Sequence, residues 1–341
     1  MSILSVENLA AHYVTQKHGK VTRVRAVDGV SFQINKNEIY GIAGESGCGK
    51  STLLKAVSGL IKQPLEIVEG QVEYQFDDRS LDIFSLKGEK ERREVRGARI
   101  SHIPQGSMSV LNPVRRIRKS FEDIIGAHLE LKDKTKFEDL VRDHLEALGL
   151  DWNVMHSFPH QLSGGMRQRI TIALATILKP DLIFADEPTT ALDVVVQRGV
   201  VQQIKKIKKE QQNTLVVVTH DLAIHANLCD RLAIMYAGKI VEEAAVDSMF
   251  GTPKHPYTEM LLNSLPILGD RSVRQSAPGA PPSLVTPPSG CRFHPRCPVA
   301  MEQCKLETPE LIEVGDGHRV ACFQQEGIAD EKIRAFDSTY D

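Results

Sequence analysis

Cysteine is scarce through most of this chain: residues 1–288 hold only Cys48 and Cys229. Also missing is any opening segment in which basic residues lead into an apolar run and a small-residue cleavage site, so MSILSVENLAAHY gives no sign of a secretory signal. No apolar run approaches the roughly 20 residues that span a bilayer. The chain is therefore expected in the cytosol, where thiols are kept reduced and a structural disulfide is excluded. Charge of either sign is not in excess. A net charge of −2 lacks the basic surplus of a sequence-independent nucleic-acid binder. There is no internal repeat, which excludes two tandem copies of one domain. What remains is 341 residues with 41% hydrophobic content, enough for a sizeable core and a prior of two domains.

Glycine, in contrast, is concentrated where it can act. Residues 39–54, IYGIAGESGCGKSTLL, pass from an apolar run through a glycine-rich loop into an apolar stretch of helical character. Gly44, Gly49, Lys50 and Ser51 stand at the spacing G-x-x-x-x-G-K-[ST], with Ser46 and Gly47 inside the loop and Thr52 after it. Glycines let the backbone turn so that successive N–H groups face phosphate oxygens, and the following helix start adds a favourable dipole. Lys50 would reach the β- and γ-phosphates and the Ser51 hydroxyl would ligate Mg²⁺. A strand before and a helix after separate this pattern from a plain glycine turn.

Residues 181–188, DLIFADEP, end an apolar run in two acids, as a buried parallel strand does when its C-terminal end opens on a ligand. Asp186 would hold Mg²⁺ through its water shell and Glu187 would act as general base toward the attacking water. Alone, such a strand end is equally a pair of solvated charges. A third strand, TLVVVTHD (214–221), ends near His220, a candidate γ-phosphate sensor that by itself is an ordinary loop histidine. Together these pieces define a phosphate-loop NTPase.

HQLSGGMRQR (160–169) then sets Ser163 as an N-cap before Gly164 and Gly165, with MRQRITIALATIL expected as an amphipathic helix. This is a second anion-binding helix start. One nucleotide per subunit needs only one such start in cis, so the economical use of the second is on the nucleotide of another subunit; the bland alternative is a capped helix and nothing more.

LSGGMRQR resembles the signature motif of ABC-type ATPases, and the order GESGCGKST, Gln105 in SHIPQG, the signature, IFADEPTTALD and His220 fits that family over essentially the full length. The resemblance implies an α/β fold, a P-loop ABC-type nucleotide-binding domain with a helical subdomain, and ATP sandwiched between two subunits. It implies further that Gln105 senses Mg²⁺ and the attacking water, that Asp193 communicates across the dimer, and that Tyr13, expected in the turn after the first strand, stacks on adenine. Ser163, Gly164 and Gly165 would bind the partner subunit's ATP. Other ABC ATPases serve nucleic-acid maintenance or export, but the long coiled coil, paired cassettes or zinc-hairpin insertions of the former are absent from this sequence.

The organisation follows. Residues 1–250 read as the ATPase domain, with a helical insertion over about 86–178 in which FEDIIGAHLEL and FEDLVRDHLEALGL carry helical apolar spacing and KGEKERREVR (87–96) a solvated face. After 250, HPYTEMLLNSLP reads as a short helix closed by Pro266, and a Pro/Ser/Gly-rich connector leads to a small C-terminal cysteine-rich extension, 251–341 in all. Cys291, Cys297, Cys304 and Cys322 fall within 32 residues at the spacing C-x5-C-x6-C-x17-C. Without tight C-x2-C pairs, spacing leaves zinc and a [4Fe–4S] cluster open. His294 and His318 lie nearby as alternative ligands, and otherwise read as loop residues. This helix, linker and cysteine tail resemble the C-terminal extension of the oligopeptide/dipeptide subgroup of ABC importers, which implies a [4Fe–4S] cluster on the four cysteines. It implies equally a second, unlike ATPase subunit, two membrane permeases, an extracytoplasmic binding protein, no nucleic acid, and a place on the cytoplasmic face of the membrane. Peptide, nickel chelate and oligosaccharide remain equal candidates for the cargo.

Overall fold

The computed structural model describes residues 1–17, 19–86, 88–106, 110–131, 133–190, 192–265 and 277–325. Pro266 and the start of the proline-rich connector lie outside them. In chain order the elements begin β1 (Ser2–Lys17), β2 (Lys20–Asn35), β3 (Ile39–Ala43), α1 (Lys50–Val57), β4 (Leu65–Gln75), β5 (Ser80–Asp82), α2 (Glu89–Val95) and β6 (Ile100–Ile103). They continue through α3 (Ile117–His128), α4 (Lys134–Ala147), α5 (Gly164–Thr176), β7 (Leu182–Asp186), α6 (Val194–Gln211), β8 (Thr214–Val218), α7 (Leu222–Leu228), β9 (Arg231–Tyr236) and β10 (Lys239–Ala245). The tail adds α8 (Val246–Gly251), α9 (Pro256–Asn263), α10 (Gln303–Leu306), β11 (Ile312–Gly315) and β12 (His318–Val320).

The chain divides into two compact units. One takes Met1–Ile3, Asn35–Ile39 and Gln75–Val218. Within it β6, β7 and β8 form a parallel run, registered from Ile100↔Leu182 to Asp186↔Val218. All five residues of β7 are buried. This is why DLIFAD reads as continuous hydrophobicity, since a strand covered on both faces and paired on both edges has no solvent side to mark with polar residues. The helices arise as their spacing predicts. α3 buries Ile117, Phe121 and Ile125, and α4 buries Phe137, Val141 and Leu145, each a four-residue stripe. Asp133 caps α4, accepting from the Thr135 amide at 2.9 Å. Apart from Val95, α2 is exposed along its length, the solvated face its charges suggest.

One expectation fails here. α5 is not amphipathic: no residue from Gly164 to Thr176 is exposed, and Gln168, Thr171 and Thr176 are as buried as Ile170 and Ile172. α3, α4, α6 and β6 all pack on it. Its two buried threonines are satisfied within the helix, Thr171 Oγ1 donating to the Arg167 carbonyl and Thr176 Oγ1 to the Ile172 carbonyl.

The other unit takes Leu4–Ile34, Tyr40–Tyr74 and Thr219–Asp341. Here β2, β1 and β4 lie side by side, β1 and β4 antiparallel with Tyr13 opposite Leu65. A second run has the order β11, β12, β10, β9, β3, with β3 parallel to β9 and the rest antiparallel. The tail hairpin β11–β12 thus extends a sheet that already contains the strand leading into the phosphate loop. Two fully buried carboxylates on β10 help attach the later chain. Glu243 accepts from the Tyr40 hydroxyl at 2.9 Å and from Arg231 and Arg319. Glu242 accepts from the amides of Lys254 and His255 and from His318 Nε2 at 2.7 Å. His318 is thereby a buried structural partner of Glu242. Buried charge is tolerable only when its acceptor sites are filled in this way.

Candidate functional site

The sequence-derived site residues are divided between the two units, and each share has its own geometry. In the unit built on β3, the phosphate loop leaves the strand at Gly44 and enters α1 at Lys50. Gly44 and Gly49 take φ of +149° and +112°, and a Cβ on either would come within 2.1 Å and 1.9 Å of the Met235 and Ala26 carbonyl oxygens. Only glycine fits either position. No side chain caps α1, so its first amides face the loop without a protein acceptor from a cap. Lys50 is buried to 7% exposure and donates to the carbonyls of Gly44 (2.8 Å) and Glu45 (2.9 Å), folding its ammonium over the loop. Ser46 and Gly47 are exposed, Ser51 is half-buried and Thr52 buried.

Tyr13 lies inside β1, not in a turn after it, because that strand runs on to residue 17 past register shifts between Glu7 and Ala11. Its hydroxyl sits 3.3 Å from Thr52 Oγ1, which brings the predicted adenine-stacking residue to the start of α1. His220 is exposed in the segment between β8 and α7.

In the unit built on β7, Asp186 ends the strand, buried to 4% exposure. Glu187 follows with φ +49°, a left-handed conformation that non-glycine residues rarely hold. Its amide donates to the Val218 carbonyl at 2.8 Å, and its Oε2 accepts from Gln105 Nε2 at 3.0 Å and Thr190 Oγ1 at 2.8 Å. Gln105 and Glu187, 82 residues apart, are thus brought together as the motif order suggests. Thr190 is an orienting residue that sequence reasoning missed. Ser163 caps α5, accepting from the Met166 amide at 3.2 Å. A Cβ on Gly165 would come within 2.7 Å of Val196 Cγ1, so the glycine allows α5 to start against α6. Asp193 caps α6, accepting from the amides of Val195 (3.1 Å) and Val196 (3.0 Å).

The tail forms a third group, in the same unit as the phosphate loop. All four cysteines carry free thiols and line one small cavity of about 20 Å³ with His255, Phe293 and His294. The Cys291 amide donates to the Cys304 carbonyl at 2.8 Å, and the β11–β12 hairpin returns the chain so that Cys322 reaches the same cavity. Burial pushes the thiols of Cys291 and Cys297 up, and that of Cys322 to about 11. Among the described residues no group of three or more His, Cys, Asp or Glu is arranged to hold a metal ion.

Sequence reasoning also missed how this tail meets the loop. The Tyr257 hydroxyl, on α9, accepts from the Glu45 amide at 2.9 Å, and Arg296 grips the Glu45 carboxylate at 2.8 and 3.0 Å. An acid inside an anion-binding loop was the available signal.

Residues 27–190 match the family described as "ABC transporter", and residues 241–304 match "Oligopeptide/dipeptide transporter, C-terminal region". A dipeptide transport ATP-binding protein DppD of Caldanaerobacter subterraneus is 39% identical over 322 residues, covering 94% of this chain and 96% of that protein. The oligopeptide transport ATP-binding protein AppD of Bacillus subtilis is 37% identical over 329 residues, covering 95% and 97%. Among solved structures, the dimeric ATP-binding cassette MJ0796, in a post-hydrolysis state bound to ADP and Pi, superposes with a TM-score of 0.61 at 26% identity, covering 72% of this chain and 99% of that one. With both matches and full-length relatives in agreement, the chain belongs to the ABC transporter family, among the ATP-binding proteins of dipeptide and oligopeptide transport.

Proposed function

We propose that the chain hydrolyses ATP to power peptide import through an ABC transporter, working at the cytoplasmic face of the membrane with a homologous, unlike ATPase subunit, two permeases and an extracytoplasmic binding protein. The relatives' names favour peptides over nickel chelates or oligosaccharides as cargo. Among the described residues no helix is long and apolar enough to cross a membrane, so the permeases supply the pathway. Residues 1–250 form the ATPase domain, with the helical insertion over 86–178, and 251–341 the extension.

The observation that carries the reading is Glu187 gripped by Gln105 and Thr190 at the end of a buried strand. Two donors on one carboxylate oxygen fix the direction in which the base accepts a proton from water. Lys50 moves from the loop carbonyls to the β- and γ-phosphates, joined there by the amides of residues 44–52. Tyr13 stacks on adenine, and His220 contacts the γ-phosphate. Ser51, Gln105 and Asp186 are the residues to hold Mg²⁺, whose charge would offset that of the phosphates. Ser163, Gly164 and Gly165 serve the ATP of the second subunit, a pairing consistent with the dimeric cassette, and Asp193 lies on the communicating loop.

Glu187→Gln is expected to keep ATP affinity and lose nearly all turnover, while Lys50→Ala lowers affinity itself. Equilibrium binding and phosphate release on the purified chain read both; normal turnover by E187Q would remove Glu187 from the role of base.

For the tail, we infer a [4Fe–4S] cluster on Cys291, Cys297, Cys304 and Cys322. Its supports are the four free thiols that line one cavity, a full ligand set for such a cluster, and the match of residues 241–304 to the oligopeptide/dipeptide C-terminal region. Anaerobic purification should give visible charge-transfer absorbance and about four iron and four sulfide per chain. One zinc per chain and no colour would reverse the choice.

A further inference from the structure

Arg296 lies between Cys291 and Cys297, yet its guanidinium is spent on the phosphate loop. All of its donors are used: Nη1 and Nη2 on the two Glu45 carboxylate oxygens at 2.8 and 3.0 Å, Nη1 also on the Tyr236 hydroxyl at 3.2 Å, Nη2 on the Ala277 carbonyl at 3.1 Å and Nε on the Pro278 carbonyl at 2.8 Å. The side chain is 7% exposed. A fork of five donors filled by five acceptors leaves the group no second position of comparable quality. Phe293, three residues earlier and 1% exposed, packs against Tyr236 and Tyr257 with ring centroids 5.2 and 5.4 Å away. Tyr257 in turn holds the Glu45 amide. Glu45 is therefore fixed at both its backbone and its side chain by the extension.

The electrostatic sense of this contact is specific. A carboxylate within a loop built to receive phosphates repels the ligand that the loop must bind. A bidentate guanidinium cancels that charge and fixes the carboxylate's direction at the same time.

We propose that Arg296 is a positioning residue for nucleotide binding: by neutralising and orienting Glu45 it holds the phosphate loop ready for the triphosphate, so that the cysteine-bearing extension supports the ATP site directly. This rests on the nucleotide reading above. The consequence is a defect of affinity, with the hydrolytic step left nearly intact because the base and its orienting donors are elsewhere in the sequence.

The test uses the full chain, Mg²⁺ and ATP, with dissociation constants from equilibrium dialysis and steady-state kcat and KM. Arg296→Gln is expected to raise Kd and KM by about tenfold and to change kcat by no more than about twofold. Glu45→Gln in the Arg296→Gln background removes the exposed acid and should return Kd to within about threefold of the parent protein. Arg296→Lys, which keeps the charge without the fork, should fall between. A role confined to holding the tail folded predicts no rescue by E45Q, so a double variant as weak as R296Q overturns the proposal. So does an unchanged Kd in R296Q. Should R296Q not fold, the same rescue by E45Q on the R296K background decides the question. Lys50→Ala separates the two claims. If K50A loses affinity and R296Q does not, only the role of Arg296 fails, whereas parental affinity in K50A would remove the nucleotide site itself.

Discussion

The loop glycines show how unequal neighbouring residues can be. Gly49 approaches the Ala26 carbonyl so closely that an added Cβ would sit 1.9 Å from its oxygen, in a backbone conformation of φ +112°. Gly47 is also left-handed, at φ +78°, but a Cβ there meets nothing within 4 Å. Gly47→Ala is accordingly expected to cost about 1 kcal/mol, the strain of the conformation alone. Gly49→Ala must displace backbone, and a loss of more than about 3 kcal/mol is expected, since overpacking against main chain cannot relax by rotamer change. Urea unfolding of the two variants measures the contrast, and equal losses would contradict it. The same reasoning bears on Glu187, whose left-handed φ of +49° is held by the hydrogen bond from its amide to the Val218 carbonyl and its contacts with Gln105 and Thr190. Strain at a residue fixed by so many partners marks a position where orientation matters more than stability.

At the scale of elements, the helix starts were the most legible feature. Ser163 caps α5 as its residue type suggests, and Asp193, read from sequence only as a residue communicating across the dimer, also caps α6. Each cap is expected to contribute about 1 kcal/mol, so Ser163→Ala and Asp193→Ala should each lower the unfolding free energy by that amount in chemical denaturation. Because Asp193 satisfies two amides, an effect of D193A on ATPase rate has to be read after correcting for the frayed helix. The burial of α5 was not legible. Its Gln and Thr residues look like a polar face, but α3, α4, α6 and β6 pack around the helix and bury them, which local sequence cannot announce. Tyr13 was misjudged for a related reason: alternation marks a strand, whereas its length depends on β4 continuing to pair with it. The phosphate loop and β7 were read correctly because each is encoded within about ten consecutive residues. Arg296 and Glu45 are 251 residues apart, and Cys322 reaches its cavity only through a hairpin, so tertiary structure alone reveals either association.

Across the whole molecule, acidification acts through buried histidines. His144, between α4 and α5, has Nε2 at 2.8 Å from Thr176 Oγ1, and burial lowers its pKa to about 4. His225 on α7 is completely enclosed, with Nε2 at 3.2 Å from the Thr219 carbonyl and Nδ1 at 3.4 Å from Cys229 Sγ, and burial likewise lowers it to about 4. His255, the buried cap of α9, is likewise lowered to about 4 by burial. All three are neutral in the folded protein near pH 5, while in the unfolded chain they titrate near pH 6.5. Unfolding therefore takes up protons between about pH 6.5 and pH 4, and stability rises with pH across that window. Above it the contribution is fully present; as pH falls through it the contribution is progressively lost. His144 belongs to one compact unit and His225 and His255 to the other, so if the units unfold in separate steps both transitions should shift the same way. Urea midpoints measured from about pH 7 to pH 5 should fall, with an uptake near pH 5 of about three protons per chain. Replacing His225 by Gln, an uncharged side chain with hydrogen-bonding ends, should remove about one of the three even though the parent stability changes; an undiminished proton uptake would mean that other groups govern the acid response.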